Sequence, residues 1–296
     1  MFKSGFISIV GRPNVGKSTL LNTLVGERLA ITTHKPQTTR NRIMGIRNIP
    51  EGQFIFLDTP GIHRPETLLN RYMVDAALDT FGSSDLLLLV VEADSGVQEG
   101  DQLIIGKLDA VKAPVILVIN KIDLIEKTRL LPLIDSFRNL LPFAALIPLS
   151  ARTGDGVPLL LEEIWKLLPE GPMYFPEEAM TDRSERFVAA EMIREQVILH
   201  TRQEIPYSLA VLVNSFQEVE EKNLLRIKAD IIVEKDSHKG ILIGKKGAML
   251  KQIGTAARLS LEKFFATRVY LELFVKVRKD WTRDAKMLKE FGYGEK

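Results

Sequence analysis

The sequence predicts an α/β domain with a mostly parallel sheet and helices on both faces, followed by a smaller α+β domain. Three observations carry this. Over the first 168 residues, short and almost wholly apolar runs alternate with amphipathic stretches, the pattern of parallel strands covered on both faces. A polar, proline-punctuated stretch, PEGPMYFPEEAMTDRSE at 169–185, then breaks the alternation. Beyond it the order changes: a helix comes first, and two strands follow with no helix between them.

Each element follows from its residues. Phe6–Val10 reads as the first strand and Lys17–Val25 as the first helix. Ile43–Ile49 is expected to add an antiparallel edge strand. Gln53–Leu57, Asp85–Val91, Pro114–Ile119 and Ala145–Leu149 are the remaining strands, with helices over Leu68–Phe81, Asp101–Val111, Arg129–Leu140 and Pro158–Leu168. The second domain reads as helix Ser184–Thr201, strands Ser208–Phe216 and Leu224–Glu234, a glycine-broken helical pair over Ser237–Phe265, strand Arg268–Val277 and a short helix at Asp280–Phe291. This places a first domain at 1–170, a linker at 171–184 and a second domain at 185–296, each of ordinary domain size.

Composition narrows the function classes. The chain has 296 residues, 45% hydrophobic and 26% charged, enough for two packed cores and unlike a disordered chain. It has no cysteine, which excludes disulfides, thiolate metal sites and cysteine nucleophiles and fits a reducing cytosol. No apolar run approaches the ~20 residues needed to span a bilayer, and no signal-peptide core develops after the N-terminus. The net charge of +2 hides an asymmetry: residues 1–179 carry −3 and residues 180–296 carry +5, with 11 basic against 3 acidic residues over 235–279. A polyanion partner for the C-terminal part is the expectation, against the alternative of a solvated basic face.

Directly after the first strand comes GRPNVGKS, a match to G-x-x-x-x-G-K-[ST] in the strand-to-helix position this motif requires. Gly11 and Gly16 let backbone wrap a phosphate chain, and the loop N–H groups and helix N-terminus face the negative charge. Lys17 is placed to bridge the β- and γ-phosphates, and the Ser18 hydroxyl to bind Mg²⁺. Asp58-Thr59-Pro60-Gly61 follows a strand end, where an Asp can hold Mg²⁺ and a glycine N–H can approach the γ-phosphate. In the polar segment Gln37–Asn41, either Thr38 or Thr39 can cap the metal and the γ-phosphate. Further on, Asn120-Lys121-Ile122-Asp123 ends a strand. The acceptor-only carboxylate of Asp123 suits the donors on guanine N1 and N2, which adenine lacks. Asn120 can bind guanine N7, the Lys121 stem can pack over the ring, and Ser150-Ala151-Arg152 offers a backbone N–H to guanine O6. All four elements lie where open α/β sheets bind ligands.

These motifs resemble the translation-factor-related GTPases. The set GRPNVGKS, PQTTRNR, DTPGIH, NKID and SAR, with Gly244-Lys245-Lys246-Gly247 inside ILIGKKGAMLKQIG, is similar to the Era family of bacterial ribosome-assembly GTPases over nearly the whole chain. The resemblance implies a P-loop GTPase domain followed by a type II KH domain. It implies nucleotide contacts from Gly11, Arg12, Pro13, Asn14, Val15, Gly16, Lys17, Ser18 and Thr19. Further contacts would come from Asp58, Thr59, Pro60, Gly61 and Ile62, from Asn120, Lys121 and Asp123, and from Ser150, Ala151 and Arg152. Mg²⁺ would fall to Ser18, Thr39 and Asp58, and catalysis to Lys17, Thr38, Thr39, Gly61 and Asn14. Ile62 stands where Ras-type enzymes carry the water-orienting glutamine, so slow hydrolysis is expected. Relatives with Asn at position 14 hold K⁺ beside the phosphates; His63 and Arg64 are the other candidates nearby.

The KH assignment also rests on residues. Two helices joined by G-x-x-G clamp about four nucleotides of single-stranded backbone, and Lys245 and Lys246 would project towards phosphates. What the resemblance implies of partners is the 3′ region of 16S ribosomal RNA and the 30S subunit. The role would be in 16S processing and subunit biogenesis, with a link to cell-cycle regulation. The chain would be a cytoplasmic monomer with weak peripheral association at the inner face of the cell membrane, through basic residues near Trp281. Two rival readings stand beside this one: an RNA-binding protein with a vestigial nucleotide site, and a membrane-associated regulator.

Overall fold

The computed structural model describes residues 1–294. It divides into two compact units, one of residues 1–66 and 70–182, the other of residues 67–69 and 183–294.

In the first unit, strands β1 (Lys3–Gly11), β2 (Ile43–Ile49), β3 (Gly52–Asp58), β4 (Leu86–Glu92), β5 (Val115–Asn120) and β6 (Ala145–Pro148) form one sheet in the order β2-β3-β1-β4-β5-β6. Only β2 is antiparallel, paired with β3 from Ile43↔Asp58 to Ile49↔Gly52. β4 reads LLLLVVE and is buried almost throughout. Leu87, Leu89 and Val91 join a cluster with Ile104, Ile105 and Leu108 of α3 (Glu99–Leu108) and Phe137 of α4 (Leu130–Arg138). The alternate residues Leu86, Leu88 and Val90 are equally buried, so this strand is covered on both sides. The remaining helices of this unit are α1 (Lys17–Val25), α2 (Leu68–Leu78) and α5 (Val157–Leu167), and α1 packs on β1, β2, β3 and α5.

The stretch expected as a linker is strapped to this unit. The backbones of Lys3 and Glu170 form an isolated antiparallel β-bridge, and Ser4 Oγ donates to the Pro172 carbonyl at 2.7 Å. The buried Gln53 accepts the Tyr174 and Phe175 N–H groups, and Ile46 N–H donates to the Met180 carbonyl. Phe175 and Ala179 pack on Met44, Ile46, Ile55 and Leu57. Apolar burial and satisfied backbone groups hold a segment whose prolines and charges alone suggest a solvated tether.

The second unit has a three-stranded sheet of β7 (Leu209–Val219), β8 (Leu224–Val233) and β9 (Arg268–Val277) in that order; β7 is antiparallel to β8, and β8 parallel to β9. Helix α6 (Glu185–His200) packs on β7 and on α8 (Ala248–Phe265). α7 (Asp236–Ile243) and α8 both pack on β9. Ser184 caps α6, and the buried Arg194 is held bidentate by Glu191 at 2.7 and 2.6 Å. The C-terminal helix is shorter than expected, α9 (Ala285–Glu290) after a single 3₁₀ turn at Trp281–Arg283. Trp281 is fully buried, with its indole N–H on the Ser208 carbonyl and its ring against Phe291 and Tyr293. It is a core residue. Among the described residues no helix is long and apolar enough to cross a membrane.

Candidate functional site

A cleft of about 510 Å³ opens at the C-terminal end of the first sheet. It is lined by Pro13, Asn14, Gly16, Lys17, Ser18 and Thr19 of the first loop, by 31–34 and 37–39, by Gly61, and by Asn120, Lys121, Asp123, Ala151 and Arg152. Four sequence-distant segments meet there because β1, β3, β5 and β6 all end at this edge.

At the phosphate end, Lys17 is folded back and donates to the Gly11 and Arg12 carbonyls at 3.1 and 2.8 Å. Burial brings its ammonium down to about 8, although Asp58 opposes the shift. Burial likewise raises the Asp58 carboxyl to about 6, against Lys17 and the Ser18 and Thr39 hydroxyls, which favour its charged form. Ser18 Oγ lies 2.6 Å from Asp58 Oδ2 and 2.7 Å from Thr39 Oγ1. Asp58 Oδ1 is buried with no hydrogen-bond partner among the described residues. Two hydroxyls and a carboxylate with an unsatisfied oxygen form a hard-ligand set that fits Mg²⁺, which takes few protein ligands beside substrate phosphates. Among the described residues no group of three His, Cys, Asp or Glu offers an alternative metal site.

The two threonines separate. Thr39 faces Ser18 and Asp58, whereas the Thr38 hydroxyl lies 2.6 Å from Thr33 Oγ1 and donates to the Lys35 carbonyl at 2.7 Å. The Thr38 hydroxyl is therefore turned into its own loop, although Thr38 still lines the cleft beside Thr39. Ile62 is 2% exposed and packs in the cluster under α3, so no side chain at this position reaches the phosphate end. Gly61 lies against the first loop so closely that a Cβ there would sit 2.6 Å from Pro13 N. The Thr59 hydroxyl donates to the Ile9 carbonyl, a purely structural contact. Arg12 also points away, its Nε on Asp101 Oδ1 at 2.7 Å.

Segments 37–39 and 61–63 are joined side chain to side chain. His63 Nδ1 lies 2.8 Å from the Gly61 carbonyl, and its Nε2 lies 3.1 Å from Gln37 Nε2. A carbonyl only accepts, so Nδ1 carries the proton and Nε2 accepts from the Gln37 amide. Asn14, at φ 67°, donates its amide to the His34 carbonyl at 3.1 Å, leaving Oδ1 as its acceptor.

At the base end, Asn120 ties three loops. Its Nδ2 donates to the Val15 carbonyl at 2.8 Å, and its Oδ1 accepts the Lys121 and Ala151 N–H groups. Lys121 is ion-paired with Glu92. Asp123 accepts from the Ser150 hydroxyl at 2.6 Å and from Arg152; the Ser150 bond first, then Arg152, holds its carboxyl below the usual range. The sequence reading missed Glu92 and Asp101. Glu92 pairs in register with Asn120 at the same strand end, and Asp101 closes a capping box with Gln98, so both carried a local signal.

In the second unit, Gly244-Lys245-Lys246-Gly247 forms the turn between α7 and α8. Gly244 has φ 69° and ψ 178°, a region open essentially only to glycine, and Lys246 and Gly247 follow at φ 52° and 79°. Lys245–Gly247 form a single 3₁₀ turn whose two lysines can meet an anion at the start of α8.

A strand-end cleft of this construction defines a P-loop GTPase, and the G-x-x-G helix pair of the second unit a KH domain. The family descriptions agree: residues 6–121 match the 50S ribosome-binding GTPase family and residues 204–282 the KH domain. The chain is 65% identical over 295 residues to GTPase Era of Syntrophus aciditrophicus, covering 100% of this chain and 96% of that protein. It is 56% identical over 292 residues to GTPase Era of Geobacter metallireducens, with 99% and 98% coverage. Among solved structures, an Aquifex aeolicus Era bound to GDP·AlF4⁻ superposes with a TM-score of 0.96 at 43% identity, covering 99% of this chain and 100% of the other. An Era in complex with MgGDPNP and nucleotides 1506–1542 of 16S ribosomal RNA gives 0.97 at 43% identity, with full coverage of both chains. The chain belongs to the Era family and is a GTPase.

Proposed function

We propose that this chain is a Mg²⁺-dependent GTP switch whose KH domain binds the 3′ region of 16S ribosomal RNA, and that it acts in 16S processing and 30S subunit maturation. The observation that carries the reading is the convergence of Ser18, Thr39 and the unsatisfied Asp58 in the same chain as the GKKG turn. Support for the RNA comes from the related Era bound to a 16S segment.

The residues divide the work. Asp123 selects guanine, and Asn120 keeps the base-reading loops on the P-loop. Lys17, already desolvated, meets the β- and γ-phosphate charge. Ser18, Thr39 and Asp58 would hold Mg²⁺, which supplies charge neutralisation on those oxygens. The Gln37–His63 contact joins the two switch segments, so a change of phosphate state at Gly61 reaches both. With Ile62 in the core, intrinsic hydrolysis is slow. Asn14 Oδ1 would hold K⁺, whose charge would stand in for an arginine finger.

The test is cross-linking and sequencing of RNA bound in cells, together with sedimentation with 30S subunits, comparing GDP and a non-hydrolysable GTP analogue. Enrichment of the 16S 3′ region, changing with nucleotide state, is expected. RNA reads spread evenly over the transcriptome would contradict it.

A further inference from the structure

One face of the KH sheet carries helices; the opposite face is buried at Ala210, Asp230 and Ile232 but open over Arg226, Lys228, Tyr270 and Phe274, and the residues of this open part are unlike an ordinary solvated face. On β9 the outward positions include Tyr270 and Phe274, 53% and 51% exposed. Four residues apart on one strand, they stand on the same side, on the order of 13 Å from each other. Arg226 pairs in register with Tyr270, and Arg268 lies two residues before it; both are exposed. The two carboxylates of the face are already matched, Glu272 by Lys228 at 3.2 Å and Asp230 by Lys276 at 2.6 Å. The remainder is an arginine pair beside Tyr270, Arg268 also lying in the field of Glu262, and two rings with no aromatic partner among the described residues. Such a surface fits a polyanion that also carries flat apolar groups.

We propose that this open face is a second contact surface for single-stranded RNA, on which bases outside the GKKG clamp stack against Tyr270 and Phe274 while Arg226 and Arg268 meet the phosphates. The proposal rests on the RNA-binding reading above and extends it. β9 is an edge strand, and α7 and α8, which hold the GKKG turn, pack on it. A strand leaving the turn therefore has only the β9 edge to cross before it reaches the rings. A G-x-x-G turn clamps about four nucleotides, so a longer RNA has bases to spare. Stacking tolerates any base, because every base has a π-face; the face would add affinity with little sequence preference.

The test uses the full chain with GDP and two RNAs. One is a segment of about ten nucleotides from within 16S positions 1506–1542. The other is the same segment extended at each end by about ten uridines, some replaced by 5-bromouridine. Wild type should bind the extended RNA at least about tenfold more tightly, and photo-crosslinks from the extensions should fall on Tyr270 or Phe274. Tyr270→Ser/Phe274→Ser should lose that gain and bind the short RNA as wild type does, while Tyr270→Phe keeps it. Arg226→Gln/Arg268→Gln should make the salt dependence shallower by about 1.4 in log–log slope.

If wild type binds neither RNA, the RNA-binding reading itself fails. If wild type binds both and the serine variant keeps the length gain, with crosslinks elsewhere, the open face alone is refuted. The crosslinks are read on wild type and so do not depend on the variants folding. A concentration-dependent dimer abolished by the serine substitutions would assign the face to a second copy of the chain and also overturn the proposal.

Discussion

The side-chain amide of Gln53 brackets Phe175: Oε1 accepts the Phe175 N–H at 3.1 Å, and Nε2 donates to the Phe175 carbonyl at 2.9 Å. A fully buried glutamine thus replaces a neighbouring strand for a segment 122 residues away. Gln53→Ala leaves these backbone groups and the Tyr174 N–H without their partner. A loss of about 1–3 kcal/mol is expected, with faster proteolytic nicking within 171–182. Limited proteolysis at unchanged rate would show that the apolar contacts of Phe175 and Ala179 hold the strap alone.

Base choice should reside in Asp123. Asp123→Asn replaces a charged acceptor by an amide that also donates, so GTP affinity should fall by about tenfold to a hundredfold. Xanthine nucleotide should gain, since its additional carbonyl accepts the new donor. Titration with both nucleotides measures this, and an unchanged preference for GTP would remove the assignment.

Nucleotide binding should be coupled to protons at both ends of neutral pH. Burial raises the Asp58 carboxyl to about 6, so the folded chain binds more protons than the unfolded one between about 4 and 6, and its stability falls as pH rises through that window. Lys17 is lowered to about 8, so between about 8 and 10.5 the folded chain binds fewer protons and stability rises with pH. Between 6 and 8 both buried charges are present, which is the state that nucleotide and Mg²⁺ relieve. The thermal shift produced by GDP with Mg²⁺ should therefore be largest between pH 6 and 8. Below 6 binding should release a proton as Asp58 ionises, and above 8 it should take one up at Lys17. Calorimetry in buffers of different ionisation enthalpy reads the proton count, and a flat profile from pH 5 to 9 would contradict it.

Hydrolysis should depend on K⁺ through Asn14. Replacing K⁺ by Na⁺ at constant ionic strength should slow turnover by about tenfold or more, and Asn14→Ala should abolish the difference. Equal rates of the wild type in both salts would leave the Gln37–His63 pair as the remaining candidate for organising the phosphate end.

Much of the fold was legible because burial wrote it locally. Lys17–Val25, Ile43–Ile49 and Arg268–Val277 are found with the limits expected from their residues, the strands through continuous or alternating apolar runs. The cleft was legible because its residues sit in fixed positions after strand ends. The missing parts depend on partners across long sequence separations. Arg12 meets Asp101 from 89 residues away, and nothing near Arg12 predicts that partner for its side chain. The strap reads as a linker because its prolines are local and its partners, Gln53, Met44 and Ile46, are not. Thr38 and Thr39 are chemically alike, and only the backbone decides which one faces Asp58. The place of Trp281 in the core was not legible either, because its ring is enclosed by Phe291 and Tyr293, which lie later in the chain.

In the proposed function one chain hydrolyses GTP at the strand-end cleft and holds 16S RNA at the GKKG turn. Lys245→Asp/Lys246→Asp separates the two, because it keeps both glycines and reverses two charges in the other domain. RNA affinity and GTP turnover should be measured on the same preparations across a salt series. Expected are a strong fall in affinity, a log–log salt slope shallower by about 0.7 for each phosphate that is no longer neutralised, and RNA-free GTP turnover close to that of the wild type. Wild-type affinity and slope in the double variant would contradict it, and would make the turn a structural connection between α7 and α8.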